Sequence, residues 1–127
     1  MCIRDSTGIG QLLAQGIIHS GLSPLLMGWL VAVAIRLATG SATVATVTSA
    51  GILEPLAATM VGPHAALLVL AVGCGSVFFS HVNDAGFWLI KEYFNASVGD
   101  NIKSWSLMET VLSVTGILLV LLTSVLV

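Results

Sequence analysis

Four polar residues crowd into five positions, Ser80, His81, Asn83 and Asp84, directly after Phe78 and Phe79 in an otherwise apolar sequence. An imidazole and a carboxylate can exchange protons near neutral pH once burial or mutual charge shifts either group. Asp84 could instead hold a cation, with Ser80 and Asn83 supplying neutral oxygens. On a helix, His81 and Asp84 would share a face at i,i+3, and Ser80 and Asp84 at i,i+4. A plainer reading stands beside these: a connector in which Asn83 and Asp84 form a turn at Gly86.

The other polar concentration is residues 36–51, RLATGSATVATVTSAG, which carries six Ser/Thr hydroxyls between two greasy segments. If the stretch is helical, Thr39, Thr43, Thr46 and Ala50 fall on one face, with Ser41 and Thr48 on another. Gly40 can relax the helix locally or admit a neighbouring backbone. Exposed amides at a half-helix start would attract a carboxylate, and nearby hydroxyls could bind those of a sugar. The alternative is a small-residue helix interface in which each hydroxyl bonds to its own preceding turn.

The elements that must hold these groups are apolar. The chain is 57% hydrophobic and only 8% charged, against about one quarter charged in soluble domains, so its solvent is a bilayer. A formal charge of -2 without a basic patch argues against nucleic acid. His19, His64 and His81 are too scattered to force a metal site, Cys2 and Cys74 form no CxxC, and Cys74 reads as a small packed residue. HVND is not a hydrolase or metalloprotease signature, and no nucleophile has an evident activating base. Neither an enzyme nor a cofactor is expected.

In chain order, residues 7–21 suit a short helix or a returning hairpin arm, closed by His19 and Ser20. Ser23-Pro24 is a good helix start, and residues 22–38 would cover roughly 25 Å as helix. Trp29 lies mid-run and reads as packing. Arg36 either snorkels to a headgroup or faces a protein interior that handles anions. Glu54 precedes Pro55 and marks either a helix end or a kink inside the membrane. Residues 63–79 are another candidate span, narrowed by Gly73, Gly75 and Ser76. Residues 87–94 look amphipathic and residues 95–106 form the most polar linker, which Lys91 and Lys103 would place on the cytoplasmic side. Residues 106–127 are the clearest transmembrane helix, with Trp105 as an interfacial anchor and Glu109 expected at the surface or near the helix dipole. At about 20 residues per span, 127 residues hold four or five spans at most. That is too few for a transporter built of two related halves, so a piece of a longer protein is expected.

The strings GSATVATVTSAG and FFSHVNDAGFWLIKEYF, together with GLSPLLMGWLVAVAIRLATG and NIKSWSLMET, resemble the C-terminal part of the gluconate permease family. The resemblance runs over residues 7–127 and leaves MCIRDS, residues 1–6, outside as a foreign start. It implies an all-α integral membrane protein, a fragment of an ion-transporter-type inverted-repeat fold with broken helices and re-entrant hairpins. It further implies a multi-pass protein of the bacterial inner membrane that carries gluconate or a related sugar acid by proton symport, with a homo-oligomer left open. By this resemblance Gly40, Ser41, Thr43, Thr46, Ser80 and Asn83 are candidates for substrate binding, and His81 and Asp84 for proton coupling. The competing expectation is a membrane structural or interaction module that transports nothing.

Overall fold

The computed structural model describes residues 23–126, and among them all regular structure is helical. Helices α1 (Pro24–Thr39), α2 (Ala42–Thr59) and α3 (Pro63–Ser76) follow one another through short connections. After the loop 77–84 come α4 (Ala85–Tyr93), α5 (Val98–Asn101), a π turn (Ile102–Ser106) and α6 (Leu107–Leu126). The last three form one unbroken helical stretch, Val98–Leu126. The short helix expected over residues 7–21, with His19 and Ser20, and the MCIRDS start lie outside the described residues.

Local chemistry sets the boundaries. Pro24 opens α1, where its missing N–H leaves no ladder bond unmade. Gly40 ends α1 at φ +70, its N–H returning 2.8 Å to Arg36 O, the left-handed closure that glycine adopts without steric cost. Ser41 then starts α2, its hydroxyl accepting from Val44 N at 3.3 Å. Pro55 sits inside α2, so the helix continues past Glu54, which is exposed. At the C-terminal side, Ser97 caps α5 by accepting from Asp100 N at 3.1 Å. Helix thus starts at Val98, inside the polar residues 95–106 expected to be linker, because a serine cap with an acidic first turn outweighs their polarity.

Glycine governs how closely the helices meet. A Cβ on Gly75 would lie 2.5 Å from Trp29 O and 2.8 Å from Ala32 Cβ, and one on Gly116 would lie 2.5 Å from Cys74 Sγ. Gly28 faces Leu68 and Val72, so α1 and α3 run alongside each other in the same direction. α6 runs the opposite way: Glu109 reaches Arg36, Trp29 Nε1 donates to Ser113 Oγ at 3.1 Å, and Ser124 lies with Pro24 and His64 at the far end. Ser113 in turn donates to Cys74 O at 2.6 Å, tying α6 to α3. Leu25, Ala32, Leu53, Leu56, Leu68, Ala71, Val72 and Ile117 fill the space between the helices.

Many large apolar side chains face outward, among them Val47, Val69, Leu70, Leu118, Leu119 and Leu122. In lipid this is no penalty, and close packing at small residues rather than water exclusion holds the helices together. Val98–Leu126, 29 residues, is long and apolar enough to cross a membrane. α1 and α3, at 16 and 14 residues, reach only about 24 and 21 Å at 1.5 Å per residue, short of a core of about 30 Å. The span expected over residues 63–79 is therefore interrupted: α3 stops at Ser76 and helix resumes only at Ala85.

Candidate functional site

The two polar stretches meet at the end of the bundle where α1 turns into α2. A Cβ on Gly40 would lie 2.5 Å from Asn83 O and 2.6 Å from Asn83 Cβ. Only a glycine with this positive φ lets the α1–α2 turn rest directly on the loop. Gly40 is thus both the helix end and the point of close approach.

The loop is a turn rather than a helix, so the face shared at i,i+3 and i,i+4 is not what joins its residues. Asp84 N donates to His81 O at 2.8 Å. Asp84 then caps α4, accepting from Gly86 N at 2.9 Å on Oδ1. Phe79, just before the turn, holds φ +38, a conformation that large side chains rarely take. Its ring stacks on His81, whose Nδ1 lies 3.4 Å from Phe79 O. His81 and Asp84 are half-buried, Asn83 is exposed and Ser80 is fully buried.

Arg36 is the hub. Its side chain is 2% exposed, so of its two expected positions it takes the interior one. Nη1 donates to Gly40 O at 2.8 Å, fastening the turn from beneath. Nη2 donates to Asp84 Oδ2 at 2.6 Å and to Glu109 Oε2 at 3.4 Å. Ser80 adds a hydroxyl bond to Asp84 Oδ2 and donates its backbone N–H to Glu109 Oε2 at 3.1 Å. Ser106, from the π turn, donates its hydroxyl to Ser80 O. One cation therefore organises the α1 end, the loop and α6. A buried guanidinium with two carboxylates fixes orientation more than it adds stability, because desolvation offsets much of the attraction.

Glu109 departs from its expected surface or dipole role. Its partners, Arg36 and Ser80, are 73 and 29 residues away, so no local periodicity could reveal them. Ser106 was missed for the same reason. The only sequence signal was an acid in the first turn of an apolar helix opposite a lone arginine in another.

The hydroxyl stretch behaves otherwise. Thr39 and Thr46 donate to the carbonyls four residues back, Ile35 O and Ala42 O, at 2.8 and 2.9 Å. Thr43 is exposed, while Ser41 and Thr46 are half-buried. Ser49 is fully buried and its hydroxyl has no partner among the described residues. Of the proposed substrate residues, Gly40, Ser41, Ser80 and Asn83 gather at the Arg36 end. Thr43 and Thr46 lie further along α2.

Away from the hub the charge is solvated. Lys91 lies 2.9 Å from Glu92, and its hydrogen bond and charge hold that carboxyl below the usual range. Exposed pairs of this kind contribute little.

The model of the GntP family permeases matches residues 2–126. A gluconate permease of Pseudomonas aeruginosa is 52% identical over 119 residues, covering 94% of this chain and 26% of that protein. A high-affinity gluconate transporter of Escherichia coli K12 is 53% identical over 111 residues, covering 87% of this chain and 25% of its own length. The Gnt-II system L-idonate transporter of the same organism is 49% identical, covering 91% and 26%. The chain thus spans about a quarter of the length of the curated relatives it matches. No solved structure matches it.

Proposed function

The chain belongs to the GntP permease family, and on that premise we propose that it works as one segment of a multi-pass inner-membrane permease that carries gluconate or a related sugar acid by proton symport. Relatives named for gluconate and for L-idonate support a sugar-acid substrate. The observation that carries the reading is the contact between the α1–α2 turn at Gly40 and the loop at Asn83. It supports a hairpin tip meeting an interrupted helix, as in inverted-repeat transporters with binding sites at the membrane midplane.

In this mechanism neutral groups hold the anion. Asn83 and Thr43 present exposed side chains and Ser41 a half-buried one, and these take the sugar hydroxyls, with Thr46 deeper along α2. The α2 amides behind Ser41 favour the carboxylate. Ser80 acts from behind by holding Asp84. Distributed dipoles bind without a fixed excess of positive charge, so the anion can also leave. His81 and the charged cluster that holds Asp84 lie beside this site and couple it to protons, because protonation lowers the charge cost of loading an anion and the effect is reciprocal.

A membrane packing module is the second reading, favoured by the local bonds of Thr39 and Thr46. Vesicles containing the complete permease separate the two. Under an inward proton gradient they should accumulate labelled gluconate. Asn83→Ala should raise KM about tenfold, the loss of a hydrogen bond to a polar ligand, and His81→Gln should weaken the dependence on the gradient. No gluconate-dependent uptake by the wild type defeats the transport reading.

A further inference from the structure

We infer that the cluster of Arg36, Asp84 and Glu109 holds one exchangeable proton, carried on Glu109, and that this proton takes part in the coupling to transport. The inference rests on the transport reading and adds a carrier that the sequence did not single out.

One guanidinium faces two carboxylates, and both accept from the same nitrogen, Nη2. With both ionised, a net negative charge remains around a cation that is 2% exposed. Carboxylates this close disfavour double ionisation, and a single proton shared by the pair relieves it. Each acid keeps 16% of its side chain open, so a proton can enter and leave.

The two acids differ in their room for that proton. Asp84 uses both oxygens as acceptors: Oδ2 for Arg36 at 2.6 Å and for the Ser80 hydroxyl, Oδ1 for Gly86 N at 2.9 Å. A proton on either oxygen would break into that set. Glu109 uses Oε2 alone, for Ser80 N at 3.1 Å and for the longer 3.4 Å approach of Arg36. Its Oε1 has no hydrogen bond among the described residues, so a proton added there leaves every existing acceptor in place.

Arg36 Nε is buried and has no partner among the described residues. The guanidinium therefore retains an unused donor although two acids surround it. When Glu109 is neutral the cluster carries no net charge. An organic anion reaching the Gly40–Asn83 contact then meets no excess negative charge. The charged groups bonded around Glu109 are Arg36 from α1, with Asp84 from the loop on the same nitrogen. The His81 ring points to Phe79 O, and Lys91 is paired with Glu92. In balance, a proton from water on one side joins Glu109 Oε1 and returns to water on the other.

The test is Glu109→Gln in the complete permease, reconstituted in vesicles. Two rates are read, gluconate counterflow without a gradient and accumulation driven by a proton gradient. The ratio of accumulation to counterflow should fall about tenfold or more. A ratio equal to the wild type overturns the inference while leaving transport intact. Wild-type vesicles without counterflow defeat the transport reading instead, and infrared spectroscopy then decides the proton alone. A pH-dependent protonated-carboxyl band present in the wild type and absent from E109Q supports the assignment; a band unchanged in E109Q, or none in the wild type, overturns it. Should E109Q fail to fold, Glu109→Asp takes its place: a shifted titration of that band supports the carrier, and an unmoved one overturns it.

Discussion

Along α2 and its approach, Thr39 and Thr46 hand their hydroxyls to carbonyls four residues back, within their own helical turns. In the loop, Ser80 holds Asp84 and receives Ser106 on its carbonyl from 26 residues away, while Arg36 reaches Asp84 across 48. Both stretches are runs of small polar residues in an apolar sequence. The hydroxyl bonds of the first are local, though its Ser49 hydroxyl has no partner among the described residues. The other exists only because α1, the loop and α6 are all present. Hydroxyl density thus marks where polar groups are tolerated, and only the location of their partners tells whether they build a site.

The largest effect that could break this contrast is at the hub. Arg36→Leu should strand two partly buried carboxylates and destabilise the protein by about 3–5 kcal/mol, read from thermal unfolding of the detergent-purified permease. A loss under about 1 kcal/mol would mean the pairs behave like exposed ones and the loop is not centrally held. Next is Gly40→Ala, which forces a Cβ against Asn83 O and a side chain into a left-handed conformation. Strain of about 1–3 kcal/mol is expected, with weaker gluconate binding as the turn and loop separate; unchanged stability and KM would dissolve the contact. The smallest effect sharpens the contrast from the α2 side. Ser49→Ala removes a buried hydroxyl that has no partner among the described residues, so stability should stay within about 0.5 kcal/mol or rise. A clear loss would show that α2 also depends on distant partners.

Several elements were legible in the sequence because their causes are local. Ser23-Pro24 announced the start of α1, and Gly40 was legible as a point of close approach, though not as the end of α1. Gly75 marked the narrow side of α3, and Trp29 proved a packing residue. The sequence left His81–Asp84 open between helix and turn, and the capping bond from Gly86 N to Asp84 decided for the turn. Pro55 left a helix end or a kink open, and α2 runs on past it to Thr59 with Leu53 and Leu56 packed in the core. Ser106 was not legible at all, and Glu109 only as an acid in the first turn of an apolar helix. Their significance comes from residues in other helices, and spacing along one helix contains no information about those.

The π turn at Ile102–Ser106 has a consequence for how the long final helix is phased. Such a turn adds one residue to the helical wind, which rotates everything before it by about 100° relative to a uniform α-helix. Upstream of it, Asn101 donates to Phe87 O at 2.8 Å; downstream, Ser106 and Glu109 reach the loop. Deleting a single residue there would keep the helix continuous yet make it choose between its two sets of neighbours, α4 on one side and the charged hub on the other.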